Sequence, residues 1–109
     1  MILDFNSMEE SILHKFKGGE GDTAAKLYTN ELGKIMLGRL APGCSIGLHL
    51  HDTSSEIIYI LRGRADFLYD DGTEETAAGG CHYCPKGHSH SMMNRGDEDL
   101  VYFAVVPEQ

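Results

Sequence analysis

Turn-forming residues cut this sequence into short pieces from Lys17 onward, and no piece between them has the length and 3.6-residue periodicity of a long helix. Lys17-Gly18-Gly19-Glu20-Gly21-Asp22 reads as a loop. Beyond it, Asn30-Glu31-Leu32-Gly33, Ala41-Pro42-Gly43, Asp70-Asp71-Gly72-Thr73 and Asn94-Arg95-Gly96-Asp97 carry residues that supply left-handed or Asx-type turn geometry. The intervening stretches read as strands at residues 25–29, 34–40, 45–51, 56–62, 64–69, 74–77, 81–84, 90–94 and 100–106. Nine short strands must hide their edges, and the economical solutions are a closed barrel or a jelly roll of two packed sheets. The first sixteen residues have two readings. Ser7-Met8-Glu9-Glu10 fits a capping box for a short helix carrying Met8, Ile12 and Phe16, while residues 12–16 fit a strand equally well.

At 109 residues, 41% of them hydrophobic, the chain is expected to form one compact domain over residues 1–109. A domain this small buries a modest fraction of its surface, so oligomerisation would add stability and a homodimer is expected. The net charge of -8 is spread from Glu9 to Glu108, which disfavours nucleic acid and anionic membranes as partners. The opening residues lack the basic and apolar regions of a leader, and no stretch approaches the ~20 apolar residues of a membrane span. Cys44, Cys81 and Cys84 are an odd number, which argues against a disulfide scaffold. The expected location is cytoplasmic.

Five of the six histidines, His49, His51, His82, His88 and His90, fall within 42 positions. In Gly47-Leu48-His49-Leu50-His51 two imidazoles stand two residues apart on a predicted strand, so they share a face and form a chelating pair. Glu56 opens the next strand after the turn Asp52-Thr53-Ser54-Ser55, and a hairpin can return its carboxylate to that pair. His90, just after Pro85-Lys86-Gly87, can add a third imidazole from a distant strand. A single strand histidine is more often a surface or hydrogen-bonded core residue, but three neutral imidazoles with one carboxylate suit one divalent transition metal ion such as Mn, Fe, Co, Ni or Zn.

The same residues carry a family resemblance. The pattern G-x5-H-x-H-x4-E-x6-G is met by Gly43, His49, His51, Glu56 and Gly63, and G-x5-P-x-G-x2-H-x3-N by Gly79, Pro85, Gly87, His90 and Asn94. These motifs, at residues 43–63 and 79–94 with 15 residues between them, resemble those of the cupin superfamily. The resemblance implies an all-β fold, the cupin double-stranded β-helix or jelly-roll barrel, with one metal inside held by His49, His51, Glu56 and His90. It also implies coordination positions left open for water, substrate or dioxygen, as in catalytic rather than structural sites. Small size and the resemblance together suggest that the segment 1–17 packs across a dimer partner.

Strand parity predicts that Ser45 and Gly47 point inward with His49 and His51, Ile58 and Ile60 with Glu56, and Met92 and Asn94 with His90. Asn94 is expected to fix backbone rather than touch substrate. On a strand, Cys81 and Cys84 face opposite sides, so a redox CxxC is disfavoured; His82 and Cys84 share one face, Cys81 and Tyr83 the other. The candidates for acid–base work are His82, Tyr83, Tyr102, Arg39, Tyr59 and Lys34, each of which is more often a core or solvated side chain. His88 is expected at the rim, and His14 lies outside both motifs.

Two functional classes follow. The first is a metal-dependent enzyme, an isomerase, decarboxylase, dioxygenase or lyase, acting on a small oxygenated molecule such as a sugar, keto acid, dicarboxylate or phenol. The second is a non-catalytic metal- or metabolite-binding module, which would need the same ligands but no base in the pocket. A metal-stabilised structural barrel is disfavoured by the open positions.

Overall fold

The computed structural model describes residues Met1–Gln109. Ten strands follow one another: β1 (Ser11–His14), β2 (Asp22–Asn30), β3 (Gly33–Leu40), β4 (Ser45–Leu50), β5 (Glu56–Arg62), β6 (Arg64–Tyr69), β7 (Gly72–Ala77), β8 (Cys81–Cys84), β9 (Ser89–Met93) and β10 (Leu100–Pro107). They form a six-stranded sheet in the order β1-β2-β3-β10-β5-β8 and a four-stranded sheet in the order β4-β9-β6-β7, with every pairing antiparallel. This is the jelly-roll alternative. No helix is long and apolar enough to cross a membrane.

All nine expected strands are present, and the ambiguous start resolves as a tenth. Backbone pairing with β2, from Ser11↔Ala25 to His14↔Asp22, satisfies the polar groups of β1, whereas the Ser7-Met8-Glu9-Glu10 helix does not form. The strand stops at His14 rather than Phe16 because Lys15 and Lys17 adopt positive φ values of 46° and 56°. A single turn of 3-10 helix at Phe16–Gly18 then lies against β4. That approach requires glycine on both sides: a β-carbon on Gly19 would fall 2.1 Å from the Ser45 carbonyl oxygen.

The core lies between the sheets and is built by alternation. In β5, Glu56, Ile58 and Ile60 are buried while Ile57, Tyr59 and Leu61 are exposed. Leu40, Phe67, Met92, Leu100 and Tyr102 fill the interior with them. Asn94 ties the second motif to this core, donating from Nδ2 to the carbonyls of Leu40 and Glu98, both at 2.8 Å, and accepting from the Gly96 amide at 3.0 Å. It fixes backbone, as expected.

Strand parity fails at one place. Ile46 pairs with Met92 but His49 with His90, so the register of β4 shifts between Ile46 and His49. The irregularity adds a residue to β4 and reverses its alternation. Ile46, not Ser45 or Gly47, therefore shares the interior with His49 and His51.

Candidate metal centre

His49 comes from β4, His51 from the residue just after it, Glu56 from the start of β5 and His90 from β9. His51 is pinned by its backbone, its N–H donating to His88 O and its carbonyl accepting from Gly87 N. The four side chains converge so that one donor atom from each lies within 4.8 Å of all the others. His51 Nε2 is 3.2 Å from His49 Nε2, 3.0 Å from His90 Nε2 and 3.2 Å from Glu56 Oε1, and Glu56 Oε1 is 2.9 Å from His90 Nε2. Donors at right angles about a shared ion, with bonds of about 2.1 Å, stand roughly 3.0 Å apart.

The outer ring nitrogens show that this donor set fits a cation. For Nε2 lone pairs to point inward, each proton must sit on Nδ1 and needs an acceptor. His49 Nδ1 has the Gly47 carbonyl at 2.8 Å, His51 Nδ1 the Ser54 hydroxyl at 2.9 Å, and His90 Nδ1 the Nε2 of His82 at 3.0 Å. Charge states agree. Burial opposes ionisation of Glu56, but hydrogen bonds with His51 and His90 outweigh it and hold the carboxyl at about 2. Burial lowers the pKa of His49 and favours its neutral form. One carboxylate and three imidazoles, largely withdrawn from water, are ligands for a divalent transition metal.

The donors lie in a cavity of about 220 Å³. Met36, Ile46, Ile58, Met92 and Val106 contribute apolar wall, and the exposed residues Lys17, Leu50, Asp52, Thr53 and Glu108 form its rim. Phe16, Lys34 and Ser54 complete the lining.

Of the acid–base candidates, Lys34 alone lines this cavity. Tyr83 and Tyr59 project outward, 54% and 42% exposed. Arg39 is outside as well, its guanidinium forming a two-pronged ion pair with Glu10 across the N-terminal segment. Tyr102 is fully buried against Gly38, away from the lining, and burial raises its phenol pKa. His82 is buried behind His90 rather than in the cavity, and burial lowers its pKa. Its side of β8 is the inward one, shared with Cys84, whose thiol burial pushes up to about 11. Cys44, Cys81 and Cys84 are all free. His88 pairs with Asp70 at 2.5 Å and stacks on Tyr69, outside the cavity lining. Sequence reasoning missed the contributions of Ser54 and Glu74 to this histidine cluster. Ser54 could have been found from its place in the turn between the pair and Glu56, whereas Glu74 has no local signal.

A family model for the cupin domain matches residues 36–106, from β3 into β10. The chain belongs to the cupin family. An oxalate-binding protein of Thermotoga maritima is 30% identical to this cupin over 113 residues, which cover 97% of this chain and 93% of the relative. Among solved structures, a predicted oxalate decarboxylase of the same organism superposes on the cupin with a TM-score of 0.93 at 27% identity, covering 100% of both chains. A sugar phosphate isomerase of Silicibacter pomeroyi gives 0.82 at 22% identity, covering 100% of this chain and 76% of the other, a likeness of fold alone. The double-stranded β-helix expected from the two motifs is thus the observed architecture.

Proposed function

We propose that this cupin binds a small dicarboxylate through a divalent transition metal held by His49, His51, Glu56 and His90. The observation that carries this reading is the placement of the donor cluster inside a cavity of about 220 Å³, below the ~300–1,000 Å³ of pockets for drug-sized ligands. A divalent cation held there would supply a Lewis-acidic centre for ligand oxygens. Apolar side chains form only part of the lining, and Lys17, Lys34, Asp52, Thr53, Ser54 and Glu108 add polar groups that can orient a ligand. Lys17 and Lys34 add positive charge along the lining, opposed at the rim by the carboxylates of Asp52 and Glu108. The similarity to an oxalate-binding protein supports the ligand class.

Binding without turnover is the first reading, because His82, Tyr83, Tyr102, Arg39 and Tyr59 all stand outside the lining. Metal-dependent turnover of the same ligand is the second, favoured by Lys34, a proton-bearing group within it. Titration calorimetry of oxalate and malonate into metal-loaded and chelator-stripped protein, with a parallel assay of ligand consumption, separates the two. Metal-dependent binding with the ligand intact supports the first. Consumption abolished by Lys34→Met moves the protein to the second. Absence of binding by the loaded protein overturns the ligand class.

We also infer that the cupin self-associates through the outer face of its six-stranded sheet. Ile57, Tyr59, Leu61 and Tyr83 are all exposed there, and the register Ile57↔Tyr83 joins β5 to β8 across the patch. Light scattering at micromolar concentration should give the mass of a dimer; a monomer rejects the inference.

A further inference from the structure

His82 stands at an unspecified position of the second motif and Glu74 outside both motifs, yet together they reach the back of the metal centre. His82 sits on β8, an edge of the six-stranded sheet, and Glu74 on β7, an edge of the four-stranded one. His82 Nδ1 lies 2.8 Å from Glu74 Oε1, and its Nε2 lies 3.0 Å from His90 Nδ1. His82 is 3% exposed, its ring stacked on Phe67 with centroids 4.0 Å apart and planes 14° from parallel. Only the carboxylate end of this chain of contacts meets solvent, the Glu74 side chain being 51% exposed.

The bonding pattern admits one arrangement of protons when His90 offers its Nε2 lone pair to a cation. His90 then carries its proton on Nδ1 and donates to His82 Nε2. His82 in turn carries its proton on Nδ1 and donates to Glu74. Reversing the second bond would place a proton on His82 Nε2, facing the proton on His90 Nδ1.

We propose that His82 and Glu74 are positioning residues for the metal centre, locking the ring orientation and tautomer of His90 from across the gap between the two sheets. This rests on the metal reading above. Neither residue lines the cavity; His82 acts through His90, and Glu74 through His82. A partner of this kind contributes about 10–100-fold in metal affinity.

The test is Co²⁺ binding to His82→Phe and Glu74→Ala, read by chelator competition and by the visible absorption of bound Co²⁺, with metal-free melting temperatures recorded alongside. Phe at 82 keeps a ring on Phe67 but removes both hydrogen bonds. The expected result is about 10–100-fold weaker binding in His82→Phe, a smaller loss in Glu74→Ala, and a shifted Co²⁺ spectrum in both. A filler role alone would lower the melting temperature of His82→Phe and leave the affinity and spectrum of its folded form unchanged, which overturns the proposal. Should His82→Phe not fold, Glu74→Ala decides, since its carboxylate is half in solvent: wild-type affinity and spectrum there reject the idea. Wild-type protein that takes up no Co²⁺ rejects the metal reading and this inference with it.

Discussion

Gly47 faces the carbonyl of Lys17 so closely that a β-carbon built on it would stand 2.1 Å from that oxygen. The contact joins the bulged strand β4 to the 3-10 turn that brings Phe16 and Lys17 to the cavity. Both partners are backbone, so no side-chain rotamer can relieve an added methyl. Gly47→Ala should lower stability by about 1–3 kcal/mol by overpacking. Chemical denaturation measures this, and an unchanged midpoint would show that the turn can lift off β4 freely.

Removing one donor at a time should empty the centre. His49→Ala, His51→Ala and His90→Ala are each expected to lose metal during purification without added ion, while Glu56→Gln weakens binding by removing the anionic ligand. Elemental analysis of protein made without a histidine tag reads this directly. Normal metal content in all three histidine variants would falsify the assignment.

Acid should destabilise the metal-free protein in two stages. Burial lowers the pKa of His49 and His82 below the ordinary 6.5, so the unfolded chain takes up protons first as pH falls through 6.5 and stability drops. Glu56, held at about 2 against an ordinary 4.5, adds a second loss as pH falls through 4.5 toward 2. Both signs agree: stability rises with pH across each window. Melting temperatures of chelator-treated protein from neutral to acid pH should decline in this manner, and a flat profile would contradict the buried, neutral state of the two imidazoles.

The two cysteines of Cys81-His82-Tyr83-Cys84 should differ in reactivity. Cys81 is exposed, whereas Cys84 is fully buried and its thiol sits at about 11. A thiol reagent applied to native protein at neutral pH should modify Cys81 and spare Cys84 until the chain unfolds. Rapid labelling that persists in Cys81→Ser, and disappears in Cys81→Ser/Cys84→Ser, would show that β8 opens.

Much of this was legible because strand geometry turns spacing into direction. His49 and His51 share a face by being two apart, and the alternation of Glu56, Ile58 and Ile60 survives intact in β5. The turn residues marked every strand after the first loop. What stayed hidden depended on register between strands. The bulge before His49 reverses parity in β4, so counting back to Ser45 pointed to the wrong neighbours, and Ile46 was overlooked. Arg39 and Tyr83 carry reactive groups on strands, but the phase of β3 and β8 sends them outward. The pairing of His82 with Glu74 joins edges of two different sheets, and no local pattern encodes such a meeting.

The place of β10 in the six-stranded sheet bears on how the molecule is made. It lies between β3 and β5, with Tyr102 opposite Gly38, residues separated by more than half the chain. The centre of that sheet therefore stays vacant until β10, the last strand in chain order, has been synthesised. Every donor of the metal centre is synthesised before β10 and the Val106 part of the wall, so a nascent chain exposes its histidines and unpaired strand edges together. Such a chain folds at the pace of long-range strand pairing, milliseconds to seconds, and the docking of β10 between β3 and β5 is the event that commits it.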